Sequence, residues 1–454
     1  MMSSQKLQPS VAKVIPKVGA LGCLLLSPLQ ANPLIEAAHQ NSLHKVDSLI
    51  DGGAPVNGAN RYGVTPLSLA CQNGNSEMVG RLLNAGANAN LALPGGESPL
   101  HTASRTGKLE SVKLLVTAGA NIDAREHRQQ TSLMWAAADG HADVVKYLLE
   151  KGAEFKKPLA SGYTPLLFAV RQGHVDVAKA LIEKGADVNE AAKVKKGRKR
   201  MSNGTSALVL AVENGHFELA DYLLTRGANA NDLRSGYAPL HVLSWVRKSV
   251  KGDGDDGLPT PQGSGDLTSL ELVKVLVKHG ADPNLKLSGG GPRGTARVDR
   301  KDATPYLLAA QTADLPFLKV LEEVGADPKL ANHCGTTPLL AAAGMGVTAP
   351  GEEAADLKSA LKVVSYLVGQ GADINVKDDR GETVMHAAAY KSAPEMMALL
   401  DQLGADIKVW HQKNKSGWTP LKITQGYRPG NFRPIEQSER SLASIMRKRG
   451  VEPK

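Results

Sequence analysis

The chain has 454 residues, a formal net charge of +9, only 4% aromatic residues and three cysteines. No stretch offers the ~18 uninterrupted apolar residues of a membrane-spanning helix, and so few cysteines exclude a disulfide-stapled secreted fold. A compact chain of this length would divide into two or three domains, whereas a stacked array grows in one dimension and needs no such division.

Residues 1–31 contain no Asp or Glu, carry Lys6, Lys13 and Lys17, and then present an apolar run from Val18 to Leu26. That order is the order of an export signal, with cleavage expected after Ala31 and a periplasmic or secreted destination for a chain starting at Asn32. From 32 to 450 one pattern recurs, and it is clearest from Ser98 to Arg128. Ser98 can cap a helix with its hydroxyl, and Pro99 takes the one helical position that needs no N–H. Gly107 closes that helix, and Val112, Leu114, Leu115 and Val116 give a second one its apolar side. Gly119 ends the second helix, and Ala120, Asn121 and Asp123 turn the chain back. Such a unit has too few apolar residues to bury a core alone, so it must stack on copies of itself.

The cap position recurs at Asn32, Thr65, Ser98, Thr131, Thr164, Ser206, Ala238, Thr304, Thr337, Thr383 and Thr419, and the first four intervals are each 33 residues. A Gly followed by Ala stands 21 residues after the cap at Gly53, Gly86, Gly119, Gly152, Gly185, Gly227 and Gly325. With this period, and with TPLSLACQNGN, SPLHTASRTGK, TSLMWAAADGH and TPLLFAVRQGH, the chain resembles the ankyrin repeat family. The resemblance implies an all-α solenoid of about eleven helix-turn-helix units, with projecting hairpin fingers between them and loop insertions. The tail HQKNKSGWTPLKITQGYRPGNFRP is similar to the ending of exported bacterial ankyrin-repeat proteins. Asn41 replaces the Gly that closes the first helix, so the unit from Asn32 reads as an N-terminal cap of the stack.

Insertions interrupt the later units. Between Gly185 and Ser206 lies a basic loop with Lys193, Lys195, Lys196, Arg198, Lys199 and Arg200, which is either a solvated loop or a contact for an acidic partner, a polyanion or an anionic membrane surface. The unit from Ala238 is the most expanded, with Gly-, Pro- and charge-rich inserts at 246–268 and 286–300 that are expected to be extended rather than packed. Asp253, Asp255 and Asp256 lack the spacing of a calcium loop, and GGGPRG lacks the strand and the Lys of a phosphate cradle. Trp410, His411, Trp418, Tyr427 and Phe432 gather near the C-terminus, where they either anchor an interface or cover the exposed end of the core.

Histidines repeat at fixed places: His101, His241 and His386 lie three residues after a cap, while His141, His174 and His216 follow the closing Gly. Repetition at one structural position points to hydrogen bonding between repeats rather than to a metal. Cys71 and Cys334 read as small buried residues. No nucleophile elbow, zinc helix or cofactor motif is present, so the chain reads as non-enzymatic, with no cofactor and no small-molecule substrate.

The expected function is therefore a monomeric scaffold that holds a protein partner on a concave surface of fingers and first helices. Its candidate contact residues are the finger tips Asn88, Asn121, Arg125, Glu154, Lys156, Asn229 and Lys377 together with the basic loop. Two alternatives have different signatures. A cytosolic or nuclear nucleic-acid contact through the basic loop would weaken steeply with salt, and an enzyme hidden in the inserts after Ala238 would lose turnover on their deletion.

Overall fold

The computed structural model describes residues 32–192, 204–248, 261, 263–288, 298–345, 347, 355–428 and 434–453. The leader at 1–31, the basic loop at 193–200, the acidic run at 253–256, the GGGPRG segment and Phe432 lie outside the described residues. Among the described residues the secondary structure is 23 helices and no extended strand. The chain forms two compact units, residues 1–203 and 204–454. The first holds five helical pairs, and the second holds six pairs and one additional short helix, Ile407–Trp410. Eleven pairs are the eleven units expected from the sequence.

Every expected cap starts a first helix. Ten of the eleven use their own side chain: Thr65 accepts from the Ser68 amide at 3.1 Å, Thr131 from Met134 at 3.3 Å, and Asn32 from Leu34 at 3.0 Å. Ala238 has no acceptor. There the His241 amide bonds the Ala238 carbonyl at 2.9 Å instead, while Nδ1 of His241 accepts from the Ala238 amide at 3.2 Å.

The same histidine position ties consecutive units together. His101, His241 and His386 are fully buried, and Nε2 of each donates to a carbonyl of the next finger: Gln130 at 3.2 Å, Leu285 at 2.9 Å and Trp418 at 3.3 Å. A carbonyl can only accept, so each ring carries its proton on Nε2 and leaves Nδ1 free to accept from the cap. The unit from Thr164 has Leu167 where these units have His. Its bridge runs instead from the Thr164 hydroxyl to the carboxyl of Glu190 on the following finger.

The Gly-His step is a packing device as well as a helix stop. Nε2 of His141 donates to the Arg105 carbonyl at 2.7 Å, and His174 does the same to Ala138 at 3.0 Å. The ring of His141 then lies so close to Gly107 that a Cβ there would meet it at 2.3 Å. Gly107 is left-handed as well, with φ 69°, so both space and backbone demand glycine. The expanded unit from Ala238 has no such histidine to lay on Gly215. The end of its insert takes the place: Gly263 packs on the Gly215 backbone, Ser264 bonds Nδ1 of His216 at 3.0 Å, and Leu267 donates to Glu218 at 2.7 Å. These insert residues are tied to the preceding unit, although 263–266 stay exposed.

Within each compact unit, the first helices of consecutive repeats pack side by side, as do the second helices. Leu100, Val112 and Leu115 are fully excluded from water within their own pair, each contributing on the order of 2 kcal/mol of burial. Two details depart from the sequence reading. Cys334 is half-exposed rather than buried, because it lies on a finger, where its thiol donates to Asp299 at 3.6 Å and accepts from Arg380 at 3.7 Å. The four-residue helix Ile407–Trp410 was not anticipated; it buries Trp410 to 1% exposure, so that ring serves the core rather than an interface.

Fingers are joined by a ladder of asparagines. Asn90 donates from Nδ2 to the Gly119 carbonyl at 2.9 Å and accepts on Oδ1 from the Asn121 amide at 2.7 Å. Asn57, Asn231 and Asn284 repeat both bonds with the finger that follows each of them. Replacing Asn90 by Ala removes two bonds worth about 1 kcal/mol each, less where water competes. The expected result is a loss of about 1–2 kcal/mol and faster hydrogen exchange at the Asn121 amide, read by NMR, with the next finger otherwise unchanged.

Candidate interaction surface

The finger residues named from the sequence fall on exposed turns, and the structure shows what their side chains do there. Asn88, Asn121 and Asn229 each accept from the amide two residues on, at 2.9, 3.1 and 2.9 Å, and so close their own turns. Glu154 accepts from the Lys156 amide at 2.7 Å in the same way. Arg125 donates to the Gln129 carbonyl at 2.8 Å. The ammonium of Lys156 stands 5.5 Å from the Phe155 ring centroid, and Lys377 is exposed. The Asn and Glu side chains shape the tips, whereas Lys156 and Lys377 extend from them. The six basic residues between 193 and 200 lie outside the described residues.

A second set of residues, absent from the sequence reading, lies on the first helices of the first compact unit. Four residues after the cap stand Leu69, Thr102, Trp135 and Phe168 on successive first helices. Leu69 and Thr102 are buried, but Trp135 and Phe168 are only half-buried. Each aromatic is accompanied by an arginine. The Arg105 guanidinium lies 5.1 Å from the Trp135 ring centroid, and it approaches Glu97 at 3.8 Å. Tyr163 and Phe168 pack with centroids 4.8 Å apart, and Arg171 covers Tyr163 at 5.8 Å while donating to its hydroxyl at 3.4 Å. Between the two clusters sits Asp139, whose carboxyl is pushed up by burial, an effect opposed by His141, Arg105 and His174.

The second compact unit carries a related group. Tyr237 meets Trp245 edge-on at 5.2 Å and donates to Glu213 at 2.9 Å, and Arg300 lies 5.9 Å from the Trp245 ring. Burial raises the Glu213 carboxyl. The available signal was an aromatic at a recurring helix position in a chain otherwise poor in aromatics.

Among the described residues no three His, Cys, Asp or Glu side chains come together as a metal site would require. No described helix is long and apolar enough to cross a membrane.

The family model of ankyrin repeats in three copies matches residues 34–126, 100–192 and 352–426, and that of a single ankyrin repeat matches 203–234, together more than half of the chain. The chain belongs to the ankyrin repeat family. Within it, the chain is 26% identical over 187 residues to E3 ubiquitin-protein ligase KEG of Arabidopsis thaliana, covering 40% of this chain and 10% of that protein. It is 30% identical over 121 residues to a Saccharomyces cerevisiae protein named probable 26S proteasome regulatory subunit p28, covering 26% of this chain and 46% of that one. The chain thus matches less than half the length of each. Ankyrin repeats are protein-binding modules.

Proposed function

We propose that this protein is a non-enzymatic scaffold that binds a protein partner through its first helices and the adjoining fingers. The observation that carries the reading is the pair of aromatic-arginine clusters on consecutive first helices, Trp135 with Arg105 and Phe168 with Arg171. Trp, Tyr and Arg are the residues that most often dominate binding energy, and they do so where a partner can complete their desolvation. Half-buried rings on a preorganised array meet that description, since little ordering entropy remains to be lost on binding. On the second helices, outward positions such as Lys146 and Glu150 are exposed and charged.

A photo-crosslinking amino acid placed at Phe168, and in a separate variant at Lys146, tests this in the native host. The expected result is one dominant covalent adduct from position 168 and none of that mass from 146. Equal labelling at the two sites, or none at 168, would overturn the reading.

A further inference from the structure

One finger of the first compact unit, residues 152–163, departs from the bonding pattern of its neighbours and leads straight into the first helix that carries Phe168. Resting on the scaffold reading, we propose that its tip, 154–158, is a hinged clasp that closes over a partner seated on the Phe168 cluster and brings Phe155 onto it.

Missing ties supply the first argument. The tip at 88–90 is held from both sides, by two bonds from Asn57 and two from Asn90, at 2.7 to 3.0 Å. The tip at 154–158 has one such bond. Asp123 accepts from the Glu154 amide at 2.9 Å, but a carboxylate cannot donate to the Gly152 carbonyl as Asn90 donates to that of Gly119. On the other side Lys156 stands where the next rung belongs, and it bonds neither the Gly185 carbonyl nor the Asp187 amide of the finger that follows. A third tie is absent as well. Four residues before the cap, the amides of His127, His333, Asp379 and Lys415 each donate to the preceding finger at 2.8 to 3.0 Å, whereas the Ala160 amide does not. A segment with so few bonds opens at low free energy.

Burial sets the hinge. Ala153 is 4% exposed and Leu159 8%, so both ends of the tip are anchored in the array. Between them Glu154, Lys156, Lys157 and Pro158 are exposed. Past the tip the chain is fixed again, because the Leu159 amide donates to the Tyr163 carbonyl and that of Gly162 to the Leu159 carbonyl, both at 2.8 Å.

Composition supplies the third argument. The tip position filled by Ala89 and Ile122 in the two preceding fingers holds Phe155 here, half-buried, with the Lys156 ammonium 5.5 Å from its ring centroid. Phe155, Tyr163 and Phe168 are three of the six aromatic residues in the described part of the first unit. The base of the same finger delivers Tyr163 onto Phe168, with centroids 4.8 Å apart. An aromatic on a loosely held tip beside fixed aromatics can follow a partner's surface and complete its desolvation.

Two measurements on the full-length protein test the clasp. Without a partner, hydrogen exchange read by mass spectrometry over 153–159 is expected to run at least about tenfold faster than over 120–126, and D123N/K156N, which restores both rungs, is expected to bring the two within about threefold. In the native host, a photo-crosslinking amino acid at Phe155 is expected to give the adduct mass found at Phe168, and one at Ile122 is not. D123N/K156N is then expected to cut the Phe155 adduct about fivefold or more while sparing that at Phe168. Thermal unfolding checks that the variants keep their fold. Equal exchange at the two tips, exchange that ignores D123N/K156N, an Ile122 adduct as strong as that at Phe155, or an adduct at Phe168 with none at Phe155 overturns the clasp and leaves the scaffold reading standing. Absence of the adduct at both Phe155 and Phe168 removes the scaffold reading and the clasp with it.

Discussion

Replacing Arg247 by Met is expected to destabilise the second compact unit by about 3–5 kcal/mol. Arg247 is the last residue of its helix, Pro239–Arg247, and the insert begins just after it. Its Nε donates to Asp314 at 2.8 Å and its Nη2 at 3.1 Å, while Nη1 donates to Ser269 across the insert. The guanidinium also lies 5.6 Å from the Phe317 ring. Side-chain exposure is 16% for Arg247 and 2% for Asp314, so removing the cation strands a carboxylate away from water. Asp314 has a second duty, because it caps the helix Leu315–Glu323 by accepting from the Phe317 amide at 3.2 Å. One ion pair thus closes the insert, joins two successive repeats and starts a helix.

Breaking a buried pair costs far more than replacing both partners. The double variant R247M/D314S keeps a capping hydroxyl and removes both charges, and it is expected to recover more than half of the loss. Repeat arrays open locally, so the measurement is hydrogen exchange by mass spectrometry over residues 239–247, 269–278 and 315–323. A change below about 1 kcal/mol in R247M would show that the pair is water-screened after all.

Acidification is expected to weaken the same unit between pH 7 and pH 4.5, through His241 and His386. Desolvation holds both rings down to about 4, and the geometry adds to it, since Nδ1 of each faces a backbone N–H and has no room for a second proton. A base with a depressed folded pKa stabilises the fold above its unfolded value near 6.5, and that stability drains as pH falls toward 4. The two rings together lose about 5 kcal/mol over the window.

Glu382 opposes them. Its carboxyl accepts from Tyr390 and Asn414, both at 2.9 Å, but its Oε2 is buried without a partner, and desolvation raises it to about 7. A carboxyl raised in the fold is penalised as pH climbs from its ordinary 4.5 to 7, so acid returns about 3 kcal/mol. Among these three groups the balance is a net loss of about 2 kcal/mol on acidification, and Glu213, whose carboxyl burial also raises, adds to the opposing side. In H241Q/H386Q the amide can still accept at the cap and donate onward, yet it does not titrate. Its stability should then rise on going from pH 7 to 4.5, and in H241Q/H386Q/E382Q that rise should be smaller by the share of Glu382. Urea titrations at each pH read both, and an unchanged acid slope in the double His variant would refute the assignment.

Much of the fold was legible because its signals are local. Thr, Ser and Asn caps, the following prolines and the closing glycines act over three or four residues, so all eleven helical pairs stand where the period placed them. Histidines could be read as inter-repeat bridges because they recurred at fixed positions. Ala238 illustrates the limit: the residue lacks a capping group, and only the fold shows the His241 amide bonding the Ala238 carbonyl instead. The candidate surface was less legible. Asn88, Asn121 and Asn229 were chosen as exposed turn residues, and whether an exposed amide is spent on its own turn cannot be told from exposure. Trp135 and Phe168 carried no such signal, because the same position holds Leu69 and Thr102 in the preceding units and only the fold shows the two rings half-buried.

What the sequence determined by itself is the unit: its caps, its two helices, its turn and the number of times it repeats, all governed by short-range hydrogen bonding and side-chain periodicity. What only the tertiary structure decided is everything that needs two units at once. The asparagine ladder, the histidine laid on Gly107, the insert residues filling the place beside Gly215, and the Arg247 pair with Asp314 join residues 29 to 67 positions apart. Their partners are chosen by stacking, which brings equivalent surfaces of successive repeats into contact and leaves to each side chain only the neighbours that the stack provides.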